Sequence, residues 1–350
     1  MRRIVSLAFV LHVLPACAGD DGGGTSETEA TAGSTATSGD GSGTADSTGT
    51  EGGTTATTSG TTAGSTGGGS TTADSTSSGG GTTGGGDDVC ARWNADRADL
   101  SEGTWTGDVG TCDPGDLEGG ARERALTLVN LYRFLAGLPE VTLDPVRNQK
   151  TQACALMMDA NGSLSHDPPP SWACYFADGA EAAGKSNISS GPAVSSVDLY
   201  MVDPGNATTL GHRRWILSNT LGPIGIGGTS GASCMWVLGG NGNAGAEFVA
   251  WPPAGVFPVQ AVAPSWTSID ETGWSIQSDG IDLSGAVVSI TRDGQPLAVD
   301  VTQLASGYGS TYAISMVPQG WTTTPGDYHV EVTGISTPIA YDVQVVDCGG

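Results

Sequence analysis

Histidines are the residues of this chain best suited to proton transfer and metal binding, because an imidazole titrates near neutral pH. The chain has four of them. His12 lies in an apolar N-terminal run, and His329 lies in a strand-like segment where a surface or edge position is expected. His166 directly follows a predicted helix, and His212 stands in the segment Gly-His-Arg-Arg-Trp. His166 and His212 are therefore the candidates for a functional site.

Seven cysteines form the second group with defined chemistry. Cys17 ends a short apolar segment, and the remaining six are Cys90, Cys112, Cys154, Cys174, Cys234 and Cys348. An even number of cysteines in an exported chain indicates disulfides formed in an oxidising compartment. Closeness in sequence favours three pairs: Cys90 with Cys112, Cys154 with Cys174, and Cys234 with Cys348.

The first seventeen residues have the layout of a bacterial export signal. Arg2 and Arg3 precede an apolar run from Ile4 to Leu14, which is about half of the roughly 20 residues that a transmembrane helix needs. The ending Leu-Pro-Ala-Cys resembles a lipobox, in which cleavage before Cys17 leaves that cysteine to be acylated. We therefore expect a signal peptide over 1–17 and a lipid anchor in the cell envelope, at the outer membrane or cell surface. Ordinary signal cleavage and free secretion is the alternative.

Residues 18–88 consist almost entirely of Gly, Ser, Thr and Ala with scattered Asp and Glu. Such a segment cannot bury enough apolar surface to offset the entropy of ordering, which predicts a disordered tether spanning on the order of 45 Å. The whole chain has a formal net charge of −24. Because so acidic a surface repels phosphate groups, nucleic acid is not an expected partner.

The folded region is expected to begin at residue 89, and its first domain covers residues 89–252. Apolar spacing predicts two helices, over 122–137 and from Pro145 to Gly162. Strand-like segments follow at 224–226, 234–238 and 247–251. Helices followed by antiparallel strands indicate the α+β class.

The second domain is predicted over residues 253–350 and has no helical pattern. Its apolar residues alternate in short segments at 287–290, 296–301, 312–316, 328–332 and 339–346. Asp293-Gly294 and Pro325-Gly326-Asp327 lie between such segments and predict hairpin turns. Strands at this spacing indicate a small immunoglobulin-like β-sandwich.

Several segments resemble, in the same order, those of the CAP superfamily, also called SCP-like. They are Val129-Asn130-Leu131-Tyr132-Arg133, Leu143-Asp144, Leu164-Ser165-His166, Ser186-Asn187-Ile188, Gly211-His212-Arg213-Arg214 and Ile224-Gly225-Ile226-Gly227. The resemblance covers roughly residues 122–251 and depends on the joint order of the segments. It implies an α-β-α sandwich with a cleft, as in the family's many extracellular members.

In that family, two histidines and two acidic residues can meet in the cleft and, in some members, hold a divalent metal such as zinc. By position, His166 and His212 match the two histidines. Ser186 stands where the family has an acidic residue, in a turn. A polar pocket in which Ser186 is the hydrogen-bond partner of the histidines is therefore the alternative to a metal site.

Other carboxylates could replace the missing acid. Glu181 precedes Ser186 closely enough to reach the same cleft, and Asp198 or Asp203 could supply the second acid. Two histidines and one carboxylate would suffice for a zinc ion with an open coordination position. The resemblance thus implies a divalent metal, such as zinc, as the cofactor to consider.

The resemblance favours a surface-anchored binding or interaction module over an enzyme. A lipid, a sterol or a cell-wall fragment would be its ligand, because family members have been linked to sterol or lipid binding. A hydrolase, in which His166, His212 and a carboxylate activate water directly or through zinc, is the first alternative. Ser186 at an acidic position counts against it. A purely structural surface protein is the second alternative.

Overall fold

Helices dominate the N-terminal part of the described chain. The computed structural model describes residues 85–349, so the export signal, Cys17 and the tether up to residue 84 lie outside the described residues. The helices are α1 Gly86–Asp96, α2 Ala121–Leu135, α3 Pro145–Asn161, α4 Ala177–Ala183, α5 Ala193–Val202, α6 Gly211–Ile216 and α7 Ile269–Thr272. None of these helices has the length and apolar character needed to cross a membrane.

Local sequence signals account for the ends of α3 and for the buried face of α2, the two helices that were predicted. Asp144 caps α3 by accepting hydrogen bonds from the backbone N–H groups of Val146 and Arg147, at 2.8 and 3.0 Å. Gly162 ends α3 in the left-handed conformation that favours glycine. The apolar residues whose helical spacing predicts α2 are buried, namely Leu128, Leu131, Tyr132 and Leu135. Both helix predictions are confirmed.

A three-stranded antiparallel sheet lies between helices. In spatial order its strands are β3 Ser186–Ser189, β5 Ser233–Trp236 and β4 Gly225–Gly228, and the short pair β1 Thr104–Trp105 and β2 Leu117–Glu118 lies apart from it. On one face α3 packs so closely that a Cβ on Gly227 would lie 2.3 Å from the backbone nitrogen of Gln152. On the other face the hydroxyl of Ser196, from α5, lies 2.6 Å from Ser189 and 2.9 Å from Ser233. Helices therefore cover both faces of the sheet, and the α+β prediction is confirmed.

The segment Ser186-Asn187-Ile188 is a strand and not the predicted turn. It pairs with β5 in register, with Asn187 opposite Met235. Because side chains alternate along a strand, Asn187 points to the opposite face of the sheet from Ser186 and Ile188. This alternation decides which of the three side chains faces α6.

Two further sheets make up the C-terminal part. Their strands are β6 Val249–Trp251, β7 Gly255–Pro258, β8 Trp274–Ser278, β9 Val287–Arg292, β10 Gln295–Leu297, β11 Val299–Gln303, β12 Tyr312–Pro318, β13 Gly326–Thr333 and β14 Ile339–Val346. One sheet has the order β11-β12-β8-β6 and the other β10-β9-β13-β14-β7. Buried side chains of both sheets belong to one core, including Ile276, Met316, Val330 and Val343. An immunoglobulin-like topology stays a prediction.

The two predicted hairpin turns have different outcomes. Asp293 and Gly294 have φ angles of 50° and 75° and join β9 to β10, which pair directly, so this turn is confirmed. The turn predicted at 325–327 is wrong, because Gly326 already begins β13. The strand before it, β12, belongs to the other sheet.

The core continues through the domain boundary predicted at residue 252. The ring of Tyr132 in α2 lies 5.6 Å from that of Trp251, which in turn lies 5.1 Å from that of Phe257 in β7. Trp251 pairs within the four-stranded sheet and Phe257 within the five-stranded sheet. Aromatic packing therefore links α2 to both C-terminal sheets.

The structure has three disulfides among its described residues, but the predicted pairing is wrong. The observed pairs are Cys90–Cys348, Cys112–Cys174 and Cys154–Cys234. Sequence closeness misled the prediction because α3 packs across the sheet, which brings Cys154 to Cys234 in β5. Cys90 in α1 holds the C-terminal end of the chain through Cys348, after β14.

Candidate functional site

His212 lies in the first turn of α6, where a buried carboxylate fixes its ring. Asp203 directly follows α5 in the left-handed conformation, with φ at 61°, and its side chain is completely buried. Its Oδ1 accepts a hydrogen bond from Nδ1 of His212 at 2.7 Å, and its Oδ2 accepts one from the backbone N–H of His212 at 2.9 Å. Asp203 therefore positions both the ring and the backbone of this histidine.

Asp203 has two further donors. Asn206 Nδ2 donates to Oδ1 at 2.7 Å, and the backbone N–H of Arg213 approaches Oδ2 at 3.4 Å. Asn206 Nδ2 also lies 3.2 Å from His212 Nδ1, but both nitrogens direct a hydrogen at the same carboxylate oxygen. His212 therefore carries a proton on Nδ1, and in its neutral form the lone pair is on Nε2.

Tyr200 and Asn187 support His212 from the side of the sheet. The ring of Tyr200 lies 5.1 Å from the imidazole. Asn187 Nδ2 donates to the carbonyl oxygen of His212 at 3.0 Å, and the Tyr200 hydroxyl donates to the carbonyl oxygen of Asn187 at 3.2 Å. Burial raises the pKa of Tyr200 well above its usual value, so the hydroxyl remains a donor. These contacts connect the position of His212 to β3.

His166 is held by a backbone group instead of a carboxylate. Its Nδ1 lies 2.9 Å from the carbonyl oxygen of Ala183, at the end of α4. Because a carbonyl oxygen can only accept, Nδ1 of His166 carries the proton and Nε2 carries the lone pair. Burial lowers the pKa of His166, and the nearby His212 lowers it further. His166 is therefore a neutral acceptor at neutral pH.

The two predicted histidines lie close enough for His212 to lower the pKa of His166. The short segment 183–187 touches both, through the Ala183 carbonyl at His166 and the Asn187 amide at His212. In each ring Nδ1 is occupied, while Nε2 has no hydrogen-bond partner among residues 85–349. Two imidazole lone pairs can therefore accept hydrogen bonds or protons from a bound molecule.

Ser186 lies in the same segment but does not contact either histidine through its hydroxyl. Its side chain is buried, and its Oγ has no hydrogen-bond partner within the described part of the chain. The alternative in which Ser186 hydrogen-bonds the histidines is therefore wrong. The strand geometry explains this, since Asn187 and not Ser186 faces α6.

Glu181 is engaged by lysines on the surface. Its carboxylate pairs with Nζ of Lys150 and with Nζ of Lys185, the latter at 2.8 Å. Hydrogen bonds from these two lysines, Lys150 first, lower the pKa of Glu181 to about 2. The Glu181 carboxylate is therefore engaged in ion pairs with these two lysines.

Of the two other candidate acids, only Asp203 reaches a histidine. Asp198 forms a two-pronged ion pair with Arg97, at 2.7 and 2.8 Å, and accepts the hydroxyl of Tyr132 at 2.5 Å. Asp198 thereby joins α5 to α2 and to the residue after α1.

The donor set does not fit the zinc centre that the family resemblance implies. Two imidazole Nε2 atoms are available, but Asp203 is already bound to Nδ1 of His212 and Glu181 is bound to lysines. Among residues 85–349, no three side chains of the metal-binding types are grouped to hold an ion. A zinc site with an open position needs about three protein ligands, and the histidine pair supplies two.

Arg213 is a positioning residue that the sequence analysis missed. Its buried guanidinium donates to the carbonyl oxygens of Met201, Val202 and Gly273 at 2.6, 3.0 and 2.7 Å, and to the hydroxyls of Ser275 and Thr272. Desolvation lowers its pKa to about 10. The residue after His212 thus fastens the end of α5 to β8. The available signal was a pair of arginines next to the apolar run Trp-Ile-Leu.

Arg214 fastens the same helix to a different C-terminal segment. Its guanidinium donates to the carbonyl oxygens of Thr209, Ala305 and Ser310 at 3.0, 2.6 and 3.0 Å. It also donates to the hydroxyl of Ser310 at 2.9 Å. α6 is therefore held from both sides by residues outside the segment that carries the resemblance.

One family model matches the part of the chain that contains both histidines. The model of the CAP family, described as the cysteine-rich secretory protein family, matches residues 126–238. This range contains α3 to α6, the three-stranded sheet, and both histidines. No curated protein and no solved structure matches the chain.

Proposed function

Because residues 126–238 form a CAP domain, we propose that the protein is an extracytoplasmic binding module that holds its ligand between His166 and His212. At the family level, a CAP domain indicates an extracellular interaction module. The three disulfides agree with an oxidising compartment. A lipid anchor at Cys17 and a cleft between the histidines belong to this proposal.

The main support for this proposal is that Nε2 of both His166 and His212 is left without a hydrogen-bond partner among residues 85–349. Each ring is fixed through Nδ1, so both present an acceptor with little freedom to reorient. With both rings in the Nδ1–H form, the two Nε2 acceptors favour a ligand with hydroxyl or amide N–H groups, such as a sterol or a cell-wall fragment. An ionised fatty acid offers only acceptors to them and is disfavoured at neutral pH.

The binding proposal is tested by titrating the full chain, with ¹⁵N-labelled histidines, with a sterol, a fatty acid and a soluble cell-wall fragment. We expect the sterol or the cell-wall fragment to shift the Nε2 resonances of His166 and His212. His166→Ala and His212→Ala should each abolish binding, while His329→Ala serves as the matched control and should bind normally. Binding that survives both alanine variants would exclude this site.

The buried His212–Asp203 pair supports a second candidate, a hydrolase. A carboxylate that fixes the Nδ1–H tautomer and leaves Nε2 free is the arrangement of a general base. If this candidate is correct, a panel of peptide and ester substrates should include one whose hydrolysis is lost in His212→Ala. Turnover that continues in the double variant His166→Ala, His212→Ala would rule it out.

The proposed anchor is tested separately from the site. Cys17→Ser should remove the acyl group and release the protein from the membrane fraction of the producing cells, because one residue carries the whole attachment. Equal membrane association of the native chain and Cys17→Ser would refute the anchor and leave the binding site untouched.

A further inference from the structure

An open cavity lies beside α6, on the C-terminal side of the molecule. Its volume is about 280 Å³, and its lining includes Trp215, Asp279, Ser306, Gly307, Ser310 and Thr311. This volume is close to the lower end of the range of small-molecule pockets, roughly 300–1,000 Å³. The cavity can therefore hold one small molecule or one unit of a longer one.

The loop over residues 305–310 forms one wall of the cavity and is held in place by hydrogen bonds within the protein. Arg214 donates to the carbonyl oxygens of Ala305 and Ser310 at the two ends of the loop, and the N–H of Gly307 lies 3.3 Å from the carbonyl oxygen of Ser310. Gly309 sits so close to the helix that a Cβ there would lie 2.4 Å from the carbonyl oxygen of Arg214. Because this wall is fixed before binding, a ligand does not have to order it.

The chemistry of the lining is aromatic, acidic and hydroxylic. Trp215 is half-buried, and its indole N–H has no hydrogen-bond partner within residues 85–349. Asp279 is exposed and accepts from Asn219 Nδ2 at 3.2 Å and from the N–H of Thr311 at 3.3 Å, which leaves acceptor positions on both oxygens. Ser306 and Thr311 add exposed hydroxyls.

The charge of the cavity excludes one class of ligand. None of the described residues that line it is a lysine or arginine, and its one ionised group is the Asp279 carboxylate. Phosphates, sulfates and carboxylates would therefore meet the Asp279 carboxylate, while the nearby Arg214 guanidinium is already bound to oxygens of the loop. A ligand with several hydroxyl groups and one apolar face fits this lining. Its hydroxyls can bind the carboxylate and the protein hydroxyls, and its apolar face can pack on the indole.

We propose that this cavity binds one unit of a neutral saccharide, with the sugar ring against Trp215 and two of its hydroxyls donating to Asp279. The site is separate from the histidine pair and does not depend on the function proposed there. In an exported protein it would give the C-terminal region its own contact with glycans.

The probes are maltotriose, cellotriose and an N-acetylglucosamine trimer, added to the full chain and followed by the indole N–H resonances and tryptophan fluorescence. We expect at least one probe to bind with a dissociation constant of ~1 mM, as is typical of a small polar contact. Trp215→Phe and Asp279→Asn should each weaken binding at least tenfold, which is about 1.4 kcal/mol. Near-ultraviolet circular dichroism checks that both variants remain folded.

Trp266→Phe is the matched control, because Trp266 is 79% exposed and does not line the cavity. It should bind the probe as the native chain does. The proposal is overturned if no probe binds at ~20 mM, about twenty times the expected constant. It is also overturned if Trp266→Phe weakens probe binding as much as Trp215→Phe does. Binding of cationic amines alone would overturn it as well, since these would use Asp279 as a counter-ion.

Discussion

Two histidine–aspartate pairs in this molecule have the same length and opposite surroundings. In both, Nδ1 of the histidine lies 2.7 Å from a carboxylate oxygen. Asp203 is completely buried beside His212, which is 25% exposed, whereas the side chains of His329 and Asp342 are 48% and 85% exposed. The first pair joins α5 to α6, and the second lies across two neighbouring strands, β13 and β14.

The comparison shows that distance alone does not measure the importance of such a pair. Water and salt screen the exposed pair, so it contributes little to stability. The buried carboxylate has lost its hydration and depends on its four protein donors, including two backbone N–H groups. A rigid imidazole is the result at His212, while His329 sits on an open surface.

The largest expected effect comes from removing the guanidinium that holds the buried pair in place. Arg213→Met should lower the free energy of unfolding by about 3 kcal/mol or more, because it leaves three buried carbonyl oxygens without a donor. Denaturant unfolding under non-reducing conditions measures this. Arg92→Met, which removes partly exposed ion pairs, is the control and should change stability much less. Equal effects would show that α6 is not fastened through Arg213.

The second-largest expected effect compares the buried His212–Asp203 pair with the exposed His329–Asp342 pair. Asp203→Asn should lower the free energy of unfolding by about 2 kcal/mol, since an amide cannot accept at both oxygens and must turn its NH₂ toward a donor. If that NH₂ faces the ring, His212 must move its proton to Nε2. Asp342→Asn is the matched change on the exposed pair.

Unfolding experiments and histidine NMR spectra check both parts of this prediction. Asp342→Asn should have little effect on stability, because the carboxylate it changes is in water. Similar losses in the two asparagine variants, or an unchanged His212 tautomer together with unchanged stability in Asp203→Asn, would remove the distinction between the pairs.

The smallest effect concerns His166, whose pKa is lowered mainly by burial. Between that lowered value and about 6.5, the unfolded chain binds more protons at this site than the folded chain, so stability falls as the pH drops through this window. His166→Gln should therefore lose less stability than the native chain between about pH 7 and pH 5. His329→Gln is the control. An unchanged pH dependence in His166→Gln would contradict the burial of this imidazole.

Sequence patterns located most of the elements because their signals are local. Asp144 and Gly162 mark the ends of α3, and Asp293-Gly294 marks a hairpin. The histidine pair was identified by residue type and then matched by the family resemblance, and Asp203 was one of three candidate acids. The strand at Ser186–Ser189 and the disulfide partners were missed because they depend on how α3 packs against the sheet, which no local signal encodes.

Sequence patterns could not predict the contacts of α6 with the C-terminal part of the chain, for a similar reason. Arg213 and Arg214 stand next to one another in the sequence, yet their guanidiniums bind segments about 60 and 90 residues further along the chain. Consecutive arginines usually indicate a solvated surface. Only the assembled fold shows that both are buried and bound to backbone carbonyls.

We predict that both histidines of the site present an unprotonated Nε2. This prediction is tested most directly by a long-range ¹H–¹⁵N spectrum of the full chain with labelled histidines at neutral pH. We expect His166 and His212 both to be in the Nδ1–H form, and Asp203→Asn to change the tautomer of His212 and not that of His166. A dominant Nε2–H form at either histidine of the native chain would contradict it.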